Sequence, residues 1–361
     1  MTPQRKTLAL LALAVCVSVV AVMMMTQKGS KSSLSFSIDP PANVPSSSRT
    51  SSEAVLGIVP GRKRDAPASE LKKPVSPLTA EMARRQNYRE IHDRLRALPS
   101  PTAEETFWLA RIIEECARNA DRKADAQRFA KVDDATRARF AASLSPKAPN
   151  RDRRIAAFNV ATRDPCGGLE GLETSDKELR AMHERAAAAG DPKSRAWLLE
   201  ADFEAARRNE KGEADWGRAV KVSDAQIDAL QRIMASGDPR ALVDVVGILN
   251  SGIDVHLRAP DESPIDGGSL YYAATLAACE MGYPCGSDSR PVASGCALQG
   301  NCDAADYRDY VFFYALAPGD TQRVMRYQAE FMRALRENDW SFFSFQRGPA
   351  PTTAAFQKPS P

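Results

Sequence analysis

A dominant charge of one sign, plentiful aromatic residues and the common catalytic signatures are all missing from this chain. Its 49 Lys and Arg are nearly matched by 46 Asp and Glu, which leaves a net charge of +3. That balance produces no field of the kind that gathers a nucleic acid, and so argues against a nucleic-acid partner. Aromatic residues make up 7% of the chain and Ala is abundant, a composition that favours helix over sheet. There is no Gly-rich phosphate loop, no HExxH and no GxSxG. The usual signatures of nucleotide, zinc-peptidase and serine-hydrolase chemistry are therefore absent. No C-x-x-C redox pair occurs either. The sequence points to no cofactor, and the leaning is away from an enzyme.

What is present is the content of an ordinary soluble domain, 43% apolar and 26% charged over 361 residues, behind a distinctive start. Arg5 and Lys6 precede an apolar run over 8–25, closed by Gln27 and Lys28. About 17–25 apolar residues suffice to cross a bilayer as a helix. Residues 1–28 are read as a signal anchor, with a cleaved signal or a lipid anchor cut before Cys16 as alternatives. Residues 29–77 are Ser- and Pro-rich, lack apolar periodicity and carry Arg62, Lys63 and Arg64. They read as a disordered tether, and the tail over 348–361 reads the same way. Six cysteines lie beyond the apolar run, an even number that suits an oxidising compartment. The expectation is a single pass through an inner membrane, with the folded part in the periplasm.

The folded part divides into an N-terminal helical region over 78–170 and a repeat region over 171–347. In the first, a helix is predicted over 79–98 from Met82, Tyr88, Ile91, Leu95 and Leu98. A second opens at Thr102, with Glu105 completing a capping box. Helices over 133–144 and 152–162 follow, and Arg151, Arg153 and Arg154 read as a solvated face.

The repeats are marked by Gly190-Asp191-Pro192, Gly237-Asp238-Pro239 and Gly282-Tyr283-Pro284, with a shorter echo at Gly319-Asp320-Thr321. Gly can close a helix in the left-handed conformation, Asp caps the next helix, and Pro starts it at no hydrogen-bond cost. Small residues stand four after the first three glycines, at Ser194, Ala241 and Gly286, which lets antiparallel helices approach closely. Leu198 and Val245 continue that seam. Ala186-Ala187, Gly190, Ser194 and Leu198 resemble the AA-x2-G-x3-A-x3-L pattern of Sel1-like and tetratricopeptide-type repeats. The resemblance spans roughly 177–337 and implies an all-α fold, an α-solenoid of antiparallel helix pairs whose faces bind proteins. It implies no catalytic residues. The layout is also similar to exported bacterial proteins that pair such helices with a Cys-rich loop.

Cys279, Cys285, Cys296 and Cys302 are spaced C-x5-C-x10-C-x5-C. Structural zinc sites use closer pairs, and His92, His183 and His256 are all distant in sequence, so no metal is expected. If 289–299 forms a short helix closed by Gly300, Cys285 is kept from Cys296 and from Cys302. The favoured pairing is then Cys279–Cys285 and Cys296–Cys302. Cys116 and Cys166 are left to pair with each other. His183 reads as a packed helix residue. His256 sits among Asp254, Asp261, Glu262, Ser263 and Asp266 in what reads as a solvated acidic loop. Trp340, Phe342, Phe343 and Phe345 read as an end cap of the kind repeat proteins need. Two functions are consistent with these readings. One is a membrane-tethered, non-enzymatic scaffold that binds a protein or peptide in the cell envelope. The other is an envelope hydrolase on a helical scaffold.

Overall fold

Short polar residues placed just ahead of apolar periodic runs decide where the helices begin. Ser76, Asn87, Thr102, Asp133, Ser175, Asp191, Ser223, Asp238 and Asp266 each accept a backbone N–H with their side chain at a helix start. The computed structural model describes residues 75–84, 86–119, 132–208, 215 and 219–348, all within the unit Val59–Pro361. The predicted anchor over 1–28, the linker up to 74 and the tail from 349 lie outside the described residues. The fold is mostly α-helical, with four short strands among the described residues. None of the described helices is long and apolar enough to cross a membrane.

The predicted helix over 79–98 is in fact two, α1 (Pro77–Ala83) and α2 (Tyr88–Arg96). Asn87 accepts from the Glu90 N–H, and the Tyr88 N–H donates to the Pro165 carbonyl. Both bonds satisfy groups that a continuous helix would have paired internally, so the break is stable. α3 (Ala103–Cys116) opens with the expected Thr102/Glu105 capping box. Its Phe107, Trp108 and Ile112 pack against Met82, Tyr88, Ile91 and Leu95 to form a first core. The Trp108 indole N–H donates to Thr79 Oγ1 at 3.2 Å, tying α1 to α3. Cys116 is bonded to Cys166 across 50 residues, with Cα atoms 5.3 Å apart. A two-residue parallel pairing joins β1 (Arg118–Asn119) to β2 (Glu173–Thr174).

α4 (Asp134–Ser143) and α5 (Arg151–Ala161) stack through Phe140 and Phe158, ring centres 4.0 Å apart. The arginines of α5 do not simply form a solvated face. Arg154 Nε donates to the Ala297 carbonyl at 2.9 Å, and its Nη2 to the Leu298 carbonyl at 3.3 Å. Arg153 donates to Asp303 at 2.8 Å and to the Cys302 carbonyl. They satisfy carbonyls that the end of a helical turn leaves unpaired, which charge alternation along α5 could not reveal.

Two hairpins follow the predicted turn chemistry. α6 (Asp176–Ala188) ends before Gly190 at φ +100°, and α7 (Pro192–Arg207) begins on the Asp191 cap. α8 (Asp224–Met234) ends before Gly237 at φ +72°, and α9 (Pro239–Leu249) begins on Asp238. α10 (Gly267–Glu280) ends before Gly282 at φ +101°, but no helix starts at Pro284. The chain instead reaches α11 (Arg290–Ser294), which continues as a π-helical turn over Gly295–Gln299 and closes at Gly300, φ +82°. The fourth echo is not a glycine turn. After α12 (Tyr307–Tyr310) and a second π-helical turn (Val311–Ala315), Pro318 is the first residue of α13 (Pro318–Glu337). The pre-set φ of Pro starts the helix before Gly319, which is therefore helical.

The main core runs from α7 to the C-terminal aromatic residues. Leu230, Ile233, Met234, Ala241, Leu242, Val245 and Ile248 are buried in it, against Ala273, Leu276, Ala277 and Phe331. Leu198 is only half-buried; Ala196 and Phe203 hold the α7 side of the seam instead. After α13, Phe342 and Phe343 fold back onto the core, Phe343 stacking on Phe331 at 4.3 Å. The chain then runs as β4 (Ser344–Arg347), antiparallel to β3 (Val255–Arg258).

Candidate functional site: a charged cleft on the helix hairpins

The residues that sequence reasoning singled out are put to structural use. Cys279–Cys285 and Cys296–Cys302 stand paired, with Cα atoms 5.7 Å and 4.2 Å apart. His256 is not in a loop: it lies on β3, is 8% exposed, and its Nδ1 is 3.3 Å from the Gly348 carbonyl. The acids around it have separate tasks. Asp254 accepts the Val222 N–H, Asp261 holds the Ser263 turn, and Asp266 caps α10. They do not converge, and among the described residues no three His, Cys, Asp or Glu are grouped to hold a metal.

The site lies elsewhere, in a cleft of about 540 Å³ lined by α3, α6, α7, α9 and Tyr271 of α10. Helical spacing builds it. On α7, Lys193, Trp197, Glu200, Ala201, Glu204 and Ala205 follow one another on a single face. Arg240, Val243, Asp244 and Gly247 do the same on α9, and Phe107, Arg111 and Glu114 on α3.

One edge of the cleft is a ladder between turns. Lys193, three residues after Gly190, is 4% exposed. Its Nζ lies 2.9 Å from Asp191 and 3.1 Å from Asp238, the caps of α7 and α9. The ammonium also sits 5.2 Å over the Phe107 ring. Burial disfavours its charge, but Asp238 and Asp191 outweigh that and raise its pKa. Arg240 holds the same place after Gly237. It pairs with Asp244 at 2.9 Å and bonds Tyr283 of the third turn. In both repeats the cation after Pro reaches the residue that follows the next glycine.

Deeper in, Arg111 pairs with Glu114, whose Oε1 also accepts from the Trp197 indole at 3.1 Å. Burial alone would raise the pKa of Glu114, yet Arg111 and the Trp197 bond hold it below the usual carboxylate range. Trp197 stacks on His183 at 4.0 Å, and His183 is fully buried behind it. Burial first, with Arg111 adding to it, lowers His183 to about 4 despite Glu114. Glu200 opens to solvent through the cleft. Desolvation, then the nearby carboxylates of Asp244 and Glu204, push its pKa up. The arrangement offers aromatic walls, cations already neutralised within the protein, and a carboxyl whose pKa is raised.

The sequence held a signal for part of this site. A basic residue follows each Asp-Pro, at Lys193 and Arg240, and the pairing of those cations with the next turn could have been sought. Trp197, Glu114 and Glu200 come together only through packing. Set against family models, curated proteins and solved structures, the chain matches none.

Proposed function

We propose that this chain is a membrane-tethered helical-repeat protein of the cell envelope that binds a protein or peptide partner in the α7–α9 cleft. In this reading the N-terminal segment anchors it in the inner membrane, and the folded part lies in the periplasm. The hairpins α6–α7 and α8–α9 form a short α-solenoid of Sel1-like or tetratricopeptide type. The observation that carries the reading is the cleft itself, formed by successive second helices joined turn to turn through Lys193 and Arg240. Solenoids bind partners on such faces. Its aromatic and arginine lining is the composition found where partners bind most strongly.

A second reading, an envelope hydrolase, has one observation in its favour: the raised carboxyl of Glu200 beside Asp244 in a cleft. Asp244, however, is tied to Arg240. The two readings part in one experiment. Full-length chain in detergent is mixed with envelope extract, and separately with purified cell-wall polymer. A saturable protein or peptide partner that is lost when the cleft is blocked supports the first. Release of soluble polymer fragments, abolished by Glu200→Gln and with no saturable partner, establishes the second instead.

A further inference from the structure

The charges lining the cleft do not all find partners within it. Arg111 is held by Glu114, Arg180 by Glu184 and Asp202, Lys193 by two caps, and Arg240 by Asp244. Arg208 and Asp176 are engaged as well. Glu200 and Glu204, one turn apart on α7, have no hydrogen-bond or ion-pair partner among the described residues. Asp244, across the cleft on α9, adds to the negative end. The cleft is therefore balanced as a whole but acidic at this point. Among the described residues Arg111 is the one cation that acts on Glu200, and it is already paired with Glu114.

A second observation concerns the opposite wall. Gly247 lies inside α9, and its φ is not in the left-handed region that would require glycine. A Cβ added there meets nothing within 4 Å. Glycine in mid-helix weakens the helix relative to alanine, and here no neighbour in the chain uses the space. Bare backbone facing a cleft is what close approach by another chain needs. Ala201 and Ala205 are the small residues of α7 that line the same cleft.

Resting on the peptide-binding reading, we infer that the partner is a polypeptide segment that lays its backbone across α9 at Gly247 and inserts one Lys or Arg side chain beside Glu200 and Glu204. Trp197 and Tyr271 line the same cleft, and rings of this kind pack against the aliphatic stems of long cationic side chains. A basic side chain would give these two carboxylates the direct partner that they lack within the fold, and charge-assisted bonds of that kind are the stronger class.

The test uses the full-length chain in detergent micelles and an immobilised library of random nine-residue peptides. The expected result is enrichment of Lys or Arg at one peptide position by about tenfold over input, the scale of one charge-assisted contact. A Glu200→Gln/Glu204→Gln chain should bind the selected peptide about tenfold more weakly. It should bind the version with Gln at the basic position as well as the natural chain does. Selected peptides with no basic preference would overturn this inference while leaving peptide binding intact. Recovery of no peptide would remove both. Recovery of basic peptides only after Arg62, Lys63 and Arg64 are replaced by Ser would assign the cleft to this chain's own linker, and so overturn a separate partner.

Discussion

Acidification should weaken the fold through His183 in particular. The ring is 0% exposed, stacked on Trp197 with an interplanar angle of 17° and met edge-on by Phe107. Its Nδ1 lies 3.4 Å from Ser194 Oγ, while Nε2 has no partner among the described residues. A protonated ring would bury a positive charge near Arg111, with only Glu114, itself tied to Arg111, to offset it. The folded pKa therefore falls from 6.5 to about 4. The unfolded chain takes up a proton before the folded one does. Stability from this group is complete above pH 6.5 and is lost as pH falls through that value towards 4. The full difference corresponds to about 3 kcal/mol. Urea unfolding at steps between pH 7.5 and 4, on the natural chain and on His183→Leu, isolates the contribution, because the other titrating groups are common to both. The natural chain should lose about 3 kcal/mol more than the variant over that interval. Parallel curves would refute the buried neutral imidazole.

Other outcomes follow from single contacts. Lys193→Met strands Asp191, whose side chain is 3% exposed, and removes the partner of Asp238. It should cost about 3 kcal/mol, with strong non-additivity against Asp238→Asn in a double-mutant cycle. Replacing both Cys116 and Cys166 by Ser opens a 50-residue loop and should cost about 4 kcal/mol in the chain-entropy account, read by chemical denaturation. Gly247→Ala should stabilise by roughly 0.5–1 kcal/mol, since the added methyl meets open space. Non-reducing peptide mapping should recover Cys279 with Cys285 and Cys296 with Cys302; a peptide joining Cys285 to Cys302 would contradict the fold of that loop.

Turn chemistry made the helical layout legible in the sequence. Gly-Asp-Pro at 190–192 and 237–239 marks helix ends because each residue type has a local reason to be there, and local reasons survive any tertiary context. Reading failed where tertiary contacts decided the outcome. The Tyr88 N–H leaves its helix for Pro165, so one predicted helix became two. Arg153 and Arg154 looked like solvent-facing charges, yet they bind carbonyls almost 150 positions away in sequence. His256 looked like a loop residue because its strand partner, β4, is about ninety positions away at the end of the aromatic cluster. The cleft was the least legible feature. Its charges come from helices spread over more than a hundred residues, and only the Lys193/Arg240 correspondence was written in the repeat itself.

The central claim is that the α7–α9 cleft is the binding surface, and blocking it is the direct test. Gly247→Leu builds a side chain into the cleft from a Cβ position that has nothing within 4 Å. The affinity of full-length protein for its selected peptide is then compared with that of the variant at matched thermal stability. At least a tenfold loss of affinity is predicted, in a variant whose melting temperature is no lower than that of the natural chain. Equal affinity in the two proteins would contradict it.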